Sequence, residues 1–107
     1  MKPNITMIGM PSSGKSTVGV LLAKRLGFSF IDVDIVIQEK EGRLLKEIIA
    51  DEGMDGFLEV ENRINAGLEA KMSVIAPGGS VIYGKEAMAH LKEISDCLLY
   101  TSDAADD

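Results

Sequence analysis

The chain is poor in cysteine and in basic residues, and it has no long apolar run and no hairpin signal. Each shortage excludes something. Cys97 is the single cysteine and cannot close an internal disulfide, so nothing points to an oxidising compartment. Eleven Lys and Arg stand against seventeen Asp and Glu, a net charge of -6. That balance disfavours nonspecific nucleic-acid binding, which needs a basic face to displace counterions. No apolar stretch approaches the length of a membrane span. Lys2 is followed by only a short apolar run before Pro11-Ser12-Ser13, so a secretory signal is not expected and the cytoplasm is the default location. There is no internal repeat and no linker long enough to separate two domains. At 107 residues the chain is one domain at most, and its 46% apolar content suffices for a core.

What is present alternates between two periodicities. Asn4 to Ile8 (NITMI) reads as a short buried strand running into Gly9. Ser16 to Leu26 carries Val18, Leu21, Leu22 and Leu26 at helical spacing, with Gly27 as a stop. Phe28 to Asp32 reads as a second strand, Ser73 to Ala76 as a third and Cys97 to Tyr100 as a fourth. Between them, Ile35 to Lys40, Leu44 to Ala50, Gly56 to Lys71 and Glu86 to Ile94 are predicted helices. The Gly56 to Lys71 helix has Phe57, Val60, Ile64 and Leu68 on one face. Strands alternating with helices predict an α/β fold, a parallel sheet covered on both faces. The six methionines read as core filler, Cys97 as a small core residue, and Glu39, Lys40 and Glu41 as a solvated face. His90 lies on a predicted helix without ligand partners nearby and is expected to be at the surface or half-buried.

The chemistry concentrates in GMPSSGKST, Gly9 to Thr17. Gly9 to Ser16 fits the pattern G-x-x-x-x-G-K-[ST] in full, with a strand before it and a helix after it. Gly14 lets successive amide hydrogens turn toward one anion, and the helix that follows aims its positive end at the same point. Lys15 adds a mobile charge for the β- and γ-phosphates, and the Ser16 hydroxyl is placed to ligate Mg²⁺. An ordinary glycine turn would not need all of these together. Gly9, Ser12, Ser13, Gly14, Lys15, Ser16 and Thr17 are therefore the candidate nucleotide-binding residues, with ATP the implied co-substrate.

Asp32-Val33-Asp34 follows at the carboxyl end of the second predicted strand, the edge where open α/β sheets bind ligands. One carboxylate could hold the Mg²⁺ shell while the other accepts the proton of an attacking hydroxyl. The alternative is that one of them caps the next helix.

GMPSSGKSTVG, FIDVD, EGRLLKEII, DEGMDGFLEVE and VIAPGGS, in this order and spacing, resemble the shikimate kinase family. The likeness runs from about Asn4 to Tyr100. It implies a three-layer α/β/α P-loop kinase fold that uses ATP and Mg²⁺ to phosphorylate a hydroxyl of shikimate. By position it implies that Lys15 and Ser16 keep their phosphate and metal roles, and that Asp32 lies near the metal. Asp34 would bind the substrate hydroxyls and act as base. Gly78 and Gly79 match two glycines of the family's Gly-Gly-Gly turn, whose backbone approaches the substrate; a simple strand-ending turn is the alternative. Two positions depart from the pattern. Leu58 stands where the family has an arginine that clamps the substrate carboxylate, and Ser80 replaces the third glycine. Arg63, five residues after Leu58, is rotated roughly 140° around a helix and is no obvious stand-in. The phosphate machinery matches while the carboxylate-reading part is altered.

The family continues past the fourth strand into a lid bearing an arginine and then a fifth strand, neither of which this sequence contains. Residues 101–107 (TSDAADD) have no core pattern and are expected to form a disordered tail, foreign in origin, with a genuine acidic tail as the alternative. Two functions follow. One is a kinase that transfers the γ-phosphate of ATP to shikimate or a related hydroxylated metabolite, as a monomer acting on a small molecule. The other is a nucleotide-binding module, or a truncated fragment that holds ATP without turnover. Asp34 favours the first, since a passive binder needs no base there.

Overall fold

Two of the strands fall on the predicted residues, because each is a short apolar run closed off by glycine or proline. A computed structural model describes residues 4–8, 12–78 and 80–100, excluding the side chains of 12–16, 97, 99 and 100. The tail expected at 101–107 lies outside the described residues. The strands β1 (Asn4–Ile8), β2 (Ser29–Asp32), β3 (Ser73–Ala76) and β4 (Ser95–Tyr100) form one parallel sheet in the order β2-β3-β1-β4. Between them lie α1 (Ser12–Leu26), α2 (Val33–Glu41), α3 (Leu45–Ala66) and α4 (Lys85–Ile94), with a short 3₁₀ turn at Val81–Tyr83. No helix among the described residues is long and apolar enough to cross a membrane.

The two-residue period of the strands sorts their side chains between two cores. Ile8, Ile31 and Ile75 join Ile37, Ile48, Phe57, Val60, Ile64 and Leu91 on the face covered by α2, α3 and α4. Their immediate neighbours Met7, Phe30 and Val74 join Leu22, Ala23 and Phe28 on the face covered by α1. The expected three layers are present, with helices on both faces of the parallel sheet.

Several expectations are corrected. The helix α1 begins at Ser12, four residues before the predicted start at Ser16. Of its predicted stripe only Leu22 packs on the core: Val18, Leu21 and Leu26 are exposed, while Gly19 and Ala23 face the sheet. The reason is close approach, since a side-chain carbon on Gly19 would run into the Phe30 ring. The predicted helices at Leu44–Ala50 and Gly56–Lys71 are one element broken at Gly53, whose φ of 77° and ψ of 172° are not helical. That element ends at Ala66, so Lys71 lies beyond it. Met54 and Met72 are exposed rather than core filler, although Met7 is buried. Cys97's side chain lies outside the described ones. His90 is half-buried, and its Nε2 lies 2.6 Å from the Leu68 carbonyl, so it ties α4 to the segment after α3.

Glu41 also departs from its expected solvated role. Arg43 bonds to Glu41 at 2.9 Å, Asp51 at 3.1 Å and Glu52 at 2.6 Å, and Arg63 reaches Glu41 at 3.3 Å. One guanidinium thus joins the end of α2 to the turn before the Gly53 break. The hydrogen bonds from Arg43 and Arg63 hold the Glu41 carboxyl below its ordinary range.

The sheet's lower end is fastened by one amide. Asn4, 1% exposed, donates through Nδ2 to the carbonyls of Ala70 (2.9 Å) and Ile94 (2.8 Å). Its Oδ1 accepts from the Ser73 amide at 3.0 Å. Beside it the buried Thr6 and Ser95 hydroxyls bond at 2.7 Å, linking β1 to β4. Asn4→Ala should leave one buried and two part-buried backbone groups without this partner and cost about 2 kcal/mol of stability, read as a shift in the urea midpoint. The Arg43 cluster carries a pH signature. Because the folded Glu41 pKa is depressed, its contribution is complete above the ordinary carboxylate pKa and is lost as pH falls through the lowered value. Acidification should therefore lower the amide protection factors of residues 42–53 of the parent, with exchange referred to the intrinsic rate at each pH, and Arg43→Gln should shrink that pH-dependent step.

Candidate active site

The chain's crossovers decide where a ligand can bind. After β1 the chain runs into α1 on one face, and after β3 it runs into α4 on the other. Adjacent strands whose connections leave on opposite faces open a crevice at their carboxyl ends, the usual ligand position in open α/β sheets. Here that crevice lies between the end of β1 at Ile8 and Pro77-Gly78 after Ala76. The end of β2 is next to it, since Asp32 pairs with Ala76. The paired aspartates and the Gly78 turn, far apart in sequence, therefore share the sheet edge at which β1 ends.

Gly9 and Gly79 lie outside the described residues. Ser12, Ser13, Gly14, Lys15 and Ser16 form the opening turns of α1, with their side chains outside those described, and Thr17 is exposed on the same helix. No acid occupies the first turn of α1, while Lys24 and Arg25 occupy its last. This distribution leaves the positive end of the helix at the crevice uncompensated, as an anion site requires.

Of the two aspartates, the first is the helix cap that the sequence offered as an alternative. Asp32, in extended conformation, caps α2: its Oδ1 accepts from the Asp34 amide at 3.0 Å. A carboxylate so engaged still has lone pairs for a metal or its waters. Asp34 stands in the first turn of α2, half-buried, and its side chain turns toward the third strand's end. Gly78 shows this. Its φ is 109°, and a side-chain carbon there would collide with the Glu61 carboxylate and lie 3.6 Å from Asp34 Oδ1. A glycine is needed both for the backbone angle and for the space.

Glu61 was not among the candidate residues read from the sequence, yet it is 3% exposed and meets Asp34 across Gly78. The available signal was an acid on an apolar helix stripe, one turn after Phe57 and beside Val60 and Ile64. Asn65 pins this part of α3 to the turn, donating to the carbonyls of Glu61 (2.9 Å) and Pro77 (3.1 Å). Asn62 does the same for α4. Gly84 has no side chain with which to cap that helix, so Asn62 Oδ1 accepts from the Ala87 amide at 3.0 Å. Asn62 Nδ2 donates to Glu86 at 2.9 Å and holds that carboxyl below its ordinary range.

A cleft of about 600 Å³ opens between α3 and the 80–86 segment, lined by Leu58, Glu61, Asn62, Ser80 and Val81 among others. Leu58 is half-buried and packs against the main core. Ser80 contributes to the cleft wall. Arg63 lines a different cleft with Lys40 and Leu68 and is paired to Glu41, so it does not replace the missing arginine.

The comparisons with known proteins agree with this geometry. Residues 11–104 match the family model described as shikimate kinase. The chain is 42% identical over 91 residues to the shikimate kinase of Persephonella marina, covering 84% of this chain and 56% of that protein. It is 47% identical over 83 residues to that of Moorella thermoacetica, covering 77% of this chain and 48% of the relative. Among solved structures, the shikimate kinase from Acinetobacter baumannii in complex with shikimate superposes with a TM-score of 0.80 at 34% identity, covering 95% of this chain and 58% of that one. That from Aquifex aeolicus gives 0.67 at 32% identity, covering 90% and 58%. The chain spans about half the length of the curated relatives it matches. By its sequence and by its fold, this chain belongs to the shikimate kinase family.

Proposed function

We propose that this chain is the nucleotide-holding and acceptor-facing part of an ATP-dependent kinase that phosphorylates a hydroxyl of shikimate or a related small molecule. The observation that supports the reading is that Asp34 and Glu61 both come close to Gly78, at the sheet edge formed by the ends of β2 and β3. The acceptor hydroxyl binds at Asp34, whose carboxylate takes the proton as the oxygen bonds to phosphorus and the bond to the β-phosphate oxygen breaks. Lys15 and the opening amides of α1 hold the phosphates in line and stabilise the charge on the leaving diphosphate. Gly78 brings backbone close to the acceptor, and Glu61 fixes the turn from behind.

Mg²⁺ fits the donor set. This ion favours one or two carboxylates together with substrate phosphates and water, and Asp32 has an oxygen left beyond its cap bond. Asp32 and the Ser16 hydroxyl would hold it, and when bound it supplies charge neutralisation on the phosphates. The reading includes a monomeric, cytoplasmic protein acting on a small molecule and not on nucleic acid, as the net charge of -6 favours.

Lys15→Ala should weaken binding of a non-hydrolysable ATP analogue by on the order of 1.5–3 kcal/mol, the scale of a lost charged hydrogen bond. Unchanged affinity by calorimetry would remove the loop from the site. In a chain of the relatives' full length, Asp34→Asn should slow transfer roughly a hundredfold or more with nucleotide affinity intact. Wild-type turnover would leave Asp34 as a helix residue only. Gly78→Ala should cost about 1–3 kcal/mol of stability through its backbone angle and displace Glu61, weakening acceptor binding before nucleotide binding. Equal loss of both would argue for general unfolding of the crevice.

A further inference from the structure

We infer that Lys85 reads the carboxylate of the acceptor, with the Ser80 hydroxyl as second donor, in place of the arginine for which this chain has Leu58. The inference rests on the kinase reading above and concerns how the acid end of an acceptor such as shikimate is held. Leu58 has no hydrogen-bonding group, so a carboxylate brought beside it would lose water without compensation. A different cation must meet it. Lys85 is the one cation among the described residues that line, with Leu58, the cleft of about 600 Å³. The arginines of the α2–α3 region are committed elsewhere, Arg43 to three acids and Arg63 to Glu41 beside another cleft. Lys24 and Arg25 stand in the last turn of α1, at the far end from the crevice.

The local hydrogen bonding leaves both donors available. The acid next to Lys85 is Glu86, whose carboxylate accepts from Asn62 Nδ2 at 2.9 Å. Lys85 acts on that carboxylate through space and makes no ion pair among the described residues. Its ammonium is not withdrawn into a bond with its own helix. Ser80 stands at the N-cap of the 3₁₀ turn, where a serine hydroxyl usually bonds to backbone, yet it makes no such bond. It lines the same cleft. The turn Val81–Tyr83 joins Ser80 to the start of α4, and Asn62 fixes that start by accepting from the Ala87 amide at 3.0 Å. A planar carboxylate between them would take the ammonium on one oxygen and the hydroxyl on the other. Asp55, Glu59 and Glu86 are exposed, so solvent screens their repulsion of the ligand, while the two donors act in direct contact. Lys85 is exposed as well, so its contact is modest and salt-sensitive, weaker than that of a bidentate arginine.

The test compares shikimate with its carboxamide, which keeps the ring, the hydroxyls and the planar group but not the charge. Each is titrated by calorimetry into the 107-residue chain and its variants at low and high salt, with a non-hydrolysable ATP analogue alongside. Lys85→Met keeps most of the stem and removes the charge. It should weaken shikimate about threefold or more at low salt and less at high salt, and change the carboxamide less than about twofold. Ser80→Ala should also weaken shikimate. Unchanged shikimate affinity in either variant would overturn the inference. So would equal losses on both ligands in Lys85→Met, or no shikimate binding by the parent. Absence of ATP-analogue binding by the parent would count instead against the kinase reading, so the two failures are separately visible.

Discussion

The Glu61 carboxylate occupies the space that any side chain on Gly78 would need, and the geometry of the whole crevice depends on that contact. A carboxylate at 3% exposure is costly to desolvate, so the backbone around it must be held closely for the arrangement to persist. Two asparagines one turn apart do this. Asn65 fastens α3 to Pro77, and Asn62 fastens it to the first turn of α4. Because α3 is tied at both points, the residues on its adjoining surface, Leu58 included, are presented by a fixed element.

The acids in excess are not spread evenly. Arg43 gathers Glu41, Asp51 and Glu52 on the connection between α2 and α3, and Arg63 is drawn to Glu41 as well. Arg43 thus ties the end of α2 to the residues before the Gly53 break, and Arg63 adds a second bond to Glu41. The remaining acids include four that line the cleft beside Gly78: Asp55, Glu59, Glu61 and Glu86.

Much of this was legible in the sequence, and the failures have physical causes. The strands β1 and β3 were read residue for residue because an apolar run bounded by Gly or Pro has few other solutions. The phosphate loop was legible as a motif in context. The buried face of α1 was not, because a pattern of large apolar residues points to Val18 and Leu21 while contact with Phe30 requires the absence of a side chain at Gly19. Which of Asp32 and Asp34 caps α2 was not legible from their chemistry, since it depends on the extended backbone at Asp32. Glu61 was visible as an acid on an apolar stripe, but its meaning required Gly78, seventeen positions away in the chain and beside it in space.

The Asn4 amide sets an order on synthesis. Its three bonds reach partners 66, 69 and 90 positions along the chain. Among the described residues, the strand β1, made first, pairs with β3 and β4 alone, and β2 pairs with β3 alone. No two strands of this sheet can therefore join until Ser73–Ala76 has left the ribosome. Up to that moment the nascent chain can form only helices and their local contacts, with its central strand waiting and its apolar residues uncovered. When β3 arrives it joins β1 and β2 at once, and the end of α4 then completes the Asn4 bonds. The sheet assembles late and nearly all together, so a ribosome pause before residue 73 would leave the nascent chain without any sheet to protect it.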